Sequence, residues 1–311
     1  MGDRGGGRES KKGSLRKSTK NPGCAAGKAK SQKKTEDVVL GASLPCPRPG
    51  SGAYVDCGCA ILSRQFDRDR DRVLSRSRQD GVCVVVCWCP SIDKLDELAA
   101  LACDIEHSGS VYFMAGVHPD NVDRTNQKSH EDWVKRAEVA ARRPECCAIL
   151  SGLNLSREHA THFAQEALLK SSCSLAARVQ LPLILHVAPD TGSDVNSLER
   201  TLEILHEVGW AGAEREEGTT VILHDAVSAT AGLAHRMQAV VDAGLLCSVS
   251  AAGLQDSTQR AQAEEALRVI PPHQLLVCSD APWHTPQNHP DSYVRSQVLV
   301  PAQGSCERAH A

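Results

Sequence analysis

Five apolar stretches of this chain end in a residue able to ligate a metal ion or carry a proton. The first ends at Asp56, another at His118, another at His186, another at the pair His224-Asp225 and the last at Asp280. His186 closes Leu-Pro-Leu-Ile-Leu-His, His224 closes Thr-Val-Ile-Leu-His, and Asp280 closes Leu-Leu-Val-Cys-Ser-Asp. Imidazoles and carboxylates brought to one place are what a hydrolytic metal ion requires. Three protein ligands with an open fourth position hold a divalent cation, which lowers the pKa of its bound water and polarises the bond to be cut. Any one histidine alone reads as well as a hydrogen-bonded strand end; the constellation carries the signal.

The elements that would bring these residues together follow from a recurrent pattern. Apolar, β-branched runs come at intervals of roughly 30 residues. They are Ala53–Asp56, Val82–Trp88, Val111–Val117, Cys146–Leu150, Pro182–Leu185, Thr219–Leu223, Leu245–Val249 and Leu275–Cys278. They are continuous rather than alternating, as in parallel strands covered on both faces. Helical patterns lie between them, at 91–102, Trp133–Ala141, Ala160–Val179, Ser197–Val208, Thr230–Ala243 and Ala261–Ile270, with Ser91 placed as an N-cap and Gly209 and Gly244 as stops. Strands alternating with helices at this length predict an α/β fold, a TIM-like (β/α)8 barrel. An open doubly wound sheet is the competitor, and no glycine-rich phosphate turn follows the first strand. In such a barrel the C-terminal ends of the strands form one mouth, so all the residues above would face it.

The motifs also carry a family resemblance. Gly-Val-His-Pro (116–119), Gln-Leu-Pro-Leu-Ile-Leu-His (180–186), Val-Ile-Leu-His (221–224) and Ser-Asp-Ala-Pro-Trp-His-Thr-Pro (279–286) resemble the TatD family of metal-dependent deoxyribonucleases, in its order, over roughly residues 53–290. The last motif is the most specific. The resemblance implies an amidohydrolase-like TIM barrel and a two-metal hydrolase acting on DNA or another phosphodiester. It implies that His186, His224 and Asp280 are metal ligands, that Asp280 also orients the attacking water, and that His118 positions the phosphate. The cofactor implied is a divalent ion (Mg, Mn or Zn).

The chain departs from the family pattern at ligand positions. The family's Asp-x-His-x-His on the first strand reads Asp56-Cys57-Gly58-Cys59-Ala60, so its two imidazoles align with Gly58 and Ala60. The Glu before Gly-Leu-Asp is gone from Ile149-Leu150-Ser151-Gly152-Leu153-Asn154, Glu-Thr-Asp has become Cys278-Ser279-Asp280, and Asp225 stands where Cys is common. The surviving ligands predict one weak cation site rather than two. The alternative is a catalytically inactive TatD-derived barrel that binds or regulates. Because about 25 residues follow the last motif, the final barrel helix is expected to be short or absent.

Cys57, Cys59, Cys87 and Cys89 offer a different chemistry: four thiolates from neighbouring strands can make a tetrahedral zinc site. Strand parity argues against it, since 57 and 59 point away from the face used by 58 and 60 unless the register slips. His159, His162, His206, His235 and His273 fall on helical patterns and read as surface residues; His284 and Trp283 would lie near the mouth.

Charge divides the chain. Lys+Arg 35 and Asp+Glu 38 leave a net charge of −3, but residues 1–52 hold twelve Lys/Arg against four Asp/Glu, so the rest carries −11. Residues 1–52, rich in Gly, Ser and Lys, are expected to be a disordered basic tail able to contact nucleic acid or serve as a nuclear address; 53–290 form the barrel, and 291–311 a short irregular end. No apolar run approaches the ~18 residues of a membrane span, and the start has neither a secretory nor a myristoylation pattern. Fourteen cysteines, mostly inside strands, suit a reducing intracellular compartment, cytoplasmic or nuclear. No obligate protein partner is implied.

Overall fold

In the computed structural model the described residues are 53–89, 91–122, 127–156, 161–189, 196–212, 218–251 and 257–283. The expected tail at 1–52, His159, His284 and the C-terminal end at 291–311 lie outside them.

Eight strands form one parallel sheet in sequence order: β1 (Tyr54–Cys59), β2 (Val82–Cys87), β3 (Val111–Gly116), β4 (Cys146–Leu153), β5 (Leu183–Val187), β6 (Val221–His224), β7 (Leu246–Val249) and β8 (Leu275–Val277). The helices among the described residues are α1 (Arg70–Gln79), α2 (Leu95–Cys103), α3 (Gln127–Ala141), α4 (His162–Val179), α5 (Ser197–Glu207), α6 (Ala226–Ala229), α7 (Ala234–Asp242) and α8 (Ser257–Val269). This is the (β/α)8 architecture that the strand rhythm predicts.

Local signals account for some of these boundaries. The Ser91 side chain accepts the amide of Asp93 ahead of α2, and the Asn196 side chain accepts the amides of Leu198 and Glu199 at the start of α5. Gly209 (φ 76°) and Gly244 (φ 78°) end α5 and α7 in the left-handed conformation that a side chain disfavours. Helices depart from the sequence reading at several places; α3 begins at Gln127 rather than Trp133, and α8 at Ser257 rather than Ala261. α1 was not among the expected helices, because Val73 and Leu74 are its only large apolar side chains and they fall on one turn. The helix expected over Thr230–Ala243 is broken by left-handed Ala231 and Gly232, leaving α6 and α7 on either side.

The core has two parts. Inside the barrel, inward residues from the β1 to β5 side meet: Ala60, Val84, Val86, Trp88, Met114, Leu150 and Ile184. Outside it, the other face of β1 to β7 packs on the helices, through residues such as Phe113, Ile149, Leu183 and Leu223, while Leu275 and Val277 of β8 are exposed. With aromatics scarce, burial of these aliphatic side chains, about 25 cal/mol per Å² removed from water, is the main cohesive term.

β1 and β8 close the barrel only near the mouth. Asp280 N–H donates to Gly58 O (2.9 Å), and Ala60 N–H to Ala281 O (2.7 Å). Asp56 reinforces the seam. Its Oδ1 accepts the amides of Gly58 (3.1 Å) and Ser279 (2.8 Å), and its Oδ2 accepts the Ser279 hydroxyl (2.6 Å). An irregularity in the β1–β2 register between Asp56 and Cys59 lets Asp56 turn toward β8 while Gly58 and Ala60 face the interior. β1 therefore runs on to Cys59, three residues past its expected end, and Asp56 serves closure rather than the mouth.

Candidate functional site

The ends of β3, β5, β6 and β8 bring His118, His186, His224 and Asp280 to one pocket of about 210 Å³, with Asp120, Asn154 and Asp225 also on its wall. The four residues named from the sequence thus meet. His186 and His224 pair in register across β5 and β6, and their rings lie 4.1 Å apart between centroids.

Hydrogen bonds fix each ring. The Asp120 amide donates to His118 Nδ1 (3.2 Å), so the proton of a neutral His118 sits on Nε2. That Nε2 is 3.1 Å from His186 Nδ1 and donates to it. His186 therefore carries its own proton on Nε2, a buried atom with no hydrogen-bond partner among the described residues. His224 Nε2 lies 3.2 Å from Asp280 Oδ1; the carboxylate accepts, so the imidazole donates. Ser248 Oγ stands 3.3 Å from His224 Nδ1 and in turn accepts the Asp225 amide (3.2 Å), while Asp225 Oδ1 accepts the Ser250 hydroxyl (2.8 Å).

Two backbone features place these groups. Asp225 (φ 46°), immediately after β6, and Asp280 (φ 49°), three residues past the end of β8, both adopt the left-handed conformation, which Asp tolerates better than most residues. Non-glycine residues held there cost of order 1 kcal/mol each, and such strain collects at functional sites.

The electrostatics of the two central imidazoles diverge. Burial pulls His186 well below its ordinary 6.5, and the neighbouring His224 and His118 add to the effect. Burial also opposes a charge on His224. The hydrogen bond to Asp280, with the charges of Asp280, Asp225 and Asp56, outweighs it and leaves the His224 pKa raised. Where one of the pair is protonated, it is His224.

Aromatic rings cover the same end. Trp283 stacks on Trp88 (5.4 Å between centroids, 17° between planes), and Trp88 stacks on His118 (5.0 Å, 17°). Trp88 also meets His186 at 4.8 Å. Trp88, Ser248 and Ser250 escaped the sequence reading. Trp88 had a usable signal, since Val84, Val86 and Trp88 alternate toward the interior; the serines had none.

The positions that the family resemblance assigns to further metal ligands are not donors here. Gly58 and Ala60 face the interior from β1, and from β4 it is Ala148 and Leu150. A Cβ added at Gly58 would fall 2.1 Å from His224 Cε1, so the His224 ring fills the volume a β1 side chain would need. Among the described residues no three His, Cys, Asp or Glu side chains are arranged to hold a metal ion. The donors present do not fit a two-ion centre. As for the thiols, Cys59, Cys87 and Cys89 pack in the outer core, facing away from the mouth. Burial pushes Cys57 and Cys89 up to about 12, and the hydrogen bond with the neighbouring Cys87 thiol, together with burial, raises Cys59 far as well, all unfavourable to thiolate ligands. His206, His235 and His273 are exposed and His162 half-buried, on helices or their edges.

Comparison with known proteins gives a consistent picture. The chain is 28% identical over 234 residues to the 3'-5' ssDNA/RNA exonuclease TatD of Salmonella typhimurium, covering 75% of this chain and 80% of that protein. It is 28% identical over 239 residues to the protein of the same description from Cronobacter turicensis. Its fold matches that of YJJV, a TatD homologue of Escherichia coli K12, with a TM-score of 0.60 at 22% identity over 78% of this chain and 86% of that one. Among the described residues no helix is long and apolar enough to cross a membrane. The pattern of the family described as TatD related DNase spans residues 55–303, and the chain belongs to that family.

Proposed function

We propose that this chain is a nucleic-acid-binding TatD barrel that no longer carries out two-ion phosphodiester hydrolysis. The observation behind this reading is the interior face of β1, where Gly58 and Ala60 stand at the family's imidazole positions and the His224 ring takes up the space beside Gly58. Losing several ligands at once removes the bridging arrangement by which two ions clamp the attacking and leaving oxygens. Binding has separate support. Relatives of 28% identity are described as exonucleases of single-stranded DNA and RNA. Trp283, half-buried and stacked on the buried Trp88, is an aromatic ring at the mouth of the kind that holds an unpaired base at ~1–3 kcal/mol. The basic residues at 1–52 would add sequence-independent attraction to phosphates.

In this reading His118 is the group that meets a phosphate, and Asp280 holds His224 in place. A second reading is a slow hydrolase with one divalent cation at His186, His224 and Asp280, in which Asp280 also directs the water. It is favoured by the 3.2 Å between His224 Nε2 and Asp280 Oδ1, close to the roughly 3.3 Å between two ligands of one tetrahedral ion.

One experiment separates them. Single-stranded DNA and RNA oligonucleotides are incubated with the protein and Mg²⁺, Mn²⁺ or Zn²⁺, and both binding and cleavage are followed. The expected result is binding without metal-dependent cleavage. Cleavage that requires metal and disappears in His186→Ala/His224→Ala establishes the second reading; absence of binding removes the first.

A further inference from the structure

We infer that the mouth of this barrel takes up no divalent cation, because its imidazoles are locked as N–H donors and the His224 ring fills the space that a side chain at position 58 would need. The inference deepens the reading above and rests on it for the alignment of Gly58 with a ligand position. A metal ion binds imidazole through a lone pair, and a hydrogen bond to the other ring nitrogen decides which nitrogen keeps it. Here the Asp120 amide occupies Nδ1 of His118, His118 Nε2–H occupies Nδ1 of His186, and His186 is left presenting Nε2–H to the interior. On the next strand, His224 Nε2–H is committed to the Asp280 carboxylate, the third prospective ligand.

A cation would have to undo both arrangements. It would break the His224–Asp280 pair, and it would move His186 to its other tautomer, forcing His118 to turn away from the Asp120 amide. The return is small, because β1 and β4 supply no further donor at Gly58, Ala60, Ala148 or Leu150. The His224 ring lies where a Cβ on Gly58 would come within 2.1 Å of it. A side chain at position 58 and the present placement of the His224 ring thus exclude each other.

The test uses the full-length protein equilibrated with Zn²⁺ or Mn²⁺ and freed of unbound metal. Elemental analysis is expected to find far less than one ion per chain, equally in wild type and in His186→Ala/His224→Ala. The ¹⁵N imidazole spectrum of the wild type is expected to show His186 as the Nε2–H tautomer. Gly58→Ala is expected to lower the urea midpoint in wild type and to lower it much less in a His224→Ala background. About one ion per chain, lost in the double variant, overturns the inference; so does a His186 signal of the Nδ1–H tautomer. Metal content and tautomer are read on wild type, so they decide the matter even where a variant does not fold. Metal uptake with nucleic-acid binding intact sinks this inference alone; loss of binding with no metal uptake sinks only the proposed function.

Discussion

His118 Nε2 lies 3.1 Å from His186 Nδ1, a hydrogen bond that links the end of β3 to the end of β5 across the intervening β4. Few contacts in the molecule say more about its chemistry, because this one assigns the proton on a ring that family resemblance would make a metal ligand. It also couples the orientation of a rim residue to that of a buried one.

The opposite displacements of the two central imidazoles predict a two-sided pH dependence. His224 is raised above 6.5, so the folded state holds its proton more tightly than the unfolded chain. Its stabilisation is present below 6.5 and is lost as pH rises through the folded value. His186 is lowered, so stability is lost as pH falls from 6.5 toward its folded value. Urea unfolding between about pH 5.5 and about pH 8.5 is expected to give His224→Gln a flatter alkaline limb and His186→Gln a flatter acid limb. Parallel profiles for both variants and wild type would contradict the assignment.

Asp56 is expected to matter for stability more than for ligand binding. Its carboxylate accepts three hydrogen bonds that tie β1 to itself and to β8. Asp56→Ala leaves the amides of Gly58 and Ser279 without that acceptor, and the expected loss is about 2–4 kcal/mol of unfolding free energy. Oligonucleotide affinity of the folded fraction is expected to change little. A variant as stable as wild type would show that the seam is held by something else.

Thiol reactivity should follow burial. A thiol pushed from 9.0 to about 12, as at Cys57 and Cys89, carries roughly a thousandfold less thiolate near pH 8. Cys103 is exposed, beside Glu145. Alkylation of native protein followed by peptide mass mapping is expected to label Cys103 well before Cys59, Cys87 or Cys89. Early labelling of Cys59 or Cys87 would mean that the outer face of β1 and β2 opens in solution.

The basic residues at 1–52 predict a salt-dependent share of nucleic-acid affinity. Each phosphate contact adds about 0.7 to the slope of log affinity against log salt on single strands. The full chain is expected to show a steeper slope than a truncation beginning at Ala53. Equal slopes would assign all the affinity to the barrel.

Much of this protein is written in short stretches of its sequence. Each apolar run such as Val82–Trp88 declares a buried strand by its own composition, each cap such as Asn196 or stop such as Gly244 marks a helix end through contacts a few residues away, and a polar residue at the end of a run lands at the mouth once the strands are parallel. The barrel and the convergence of His118, His186, His224 and Asp280 could be read that way, and the substitutions at Gly58 and Ala60 from the family resemblance. What depended on tertiary structure was how those groups spend their hydrogen bonds. The Asp56 carboxylate meets Ser279 across 223 residues of chain, and the His224 ring comes to rest against Gly58. Neither follows from local pattern, because side-chain direction across a barrel is set by register, by the irregularities in the β1–β2 pairing and by which neighbour leaves room. A glycine names the space it vacates only when the fold places another residue in it.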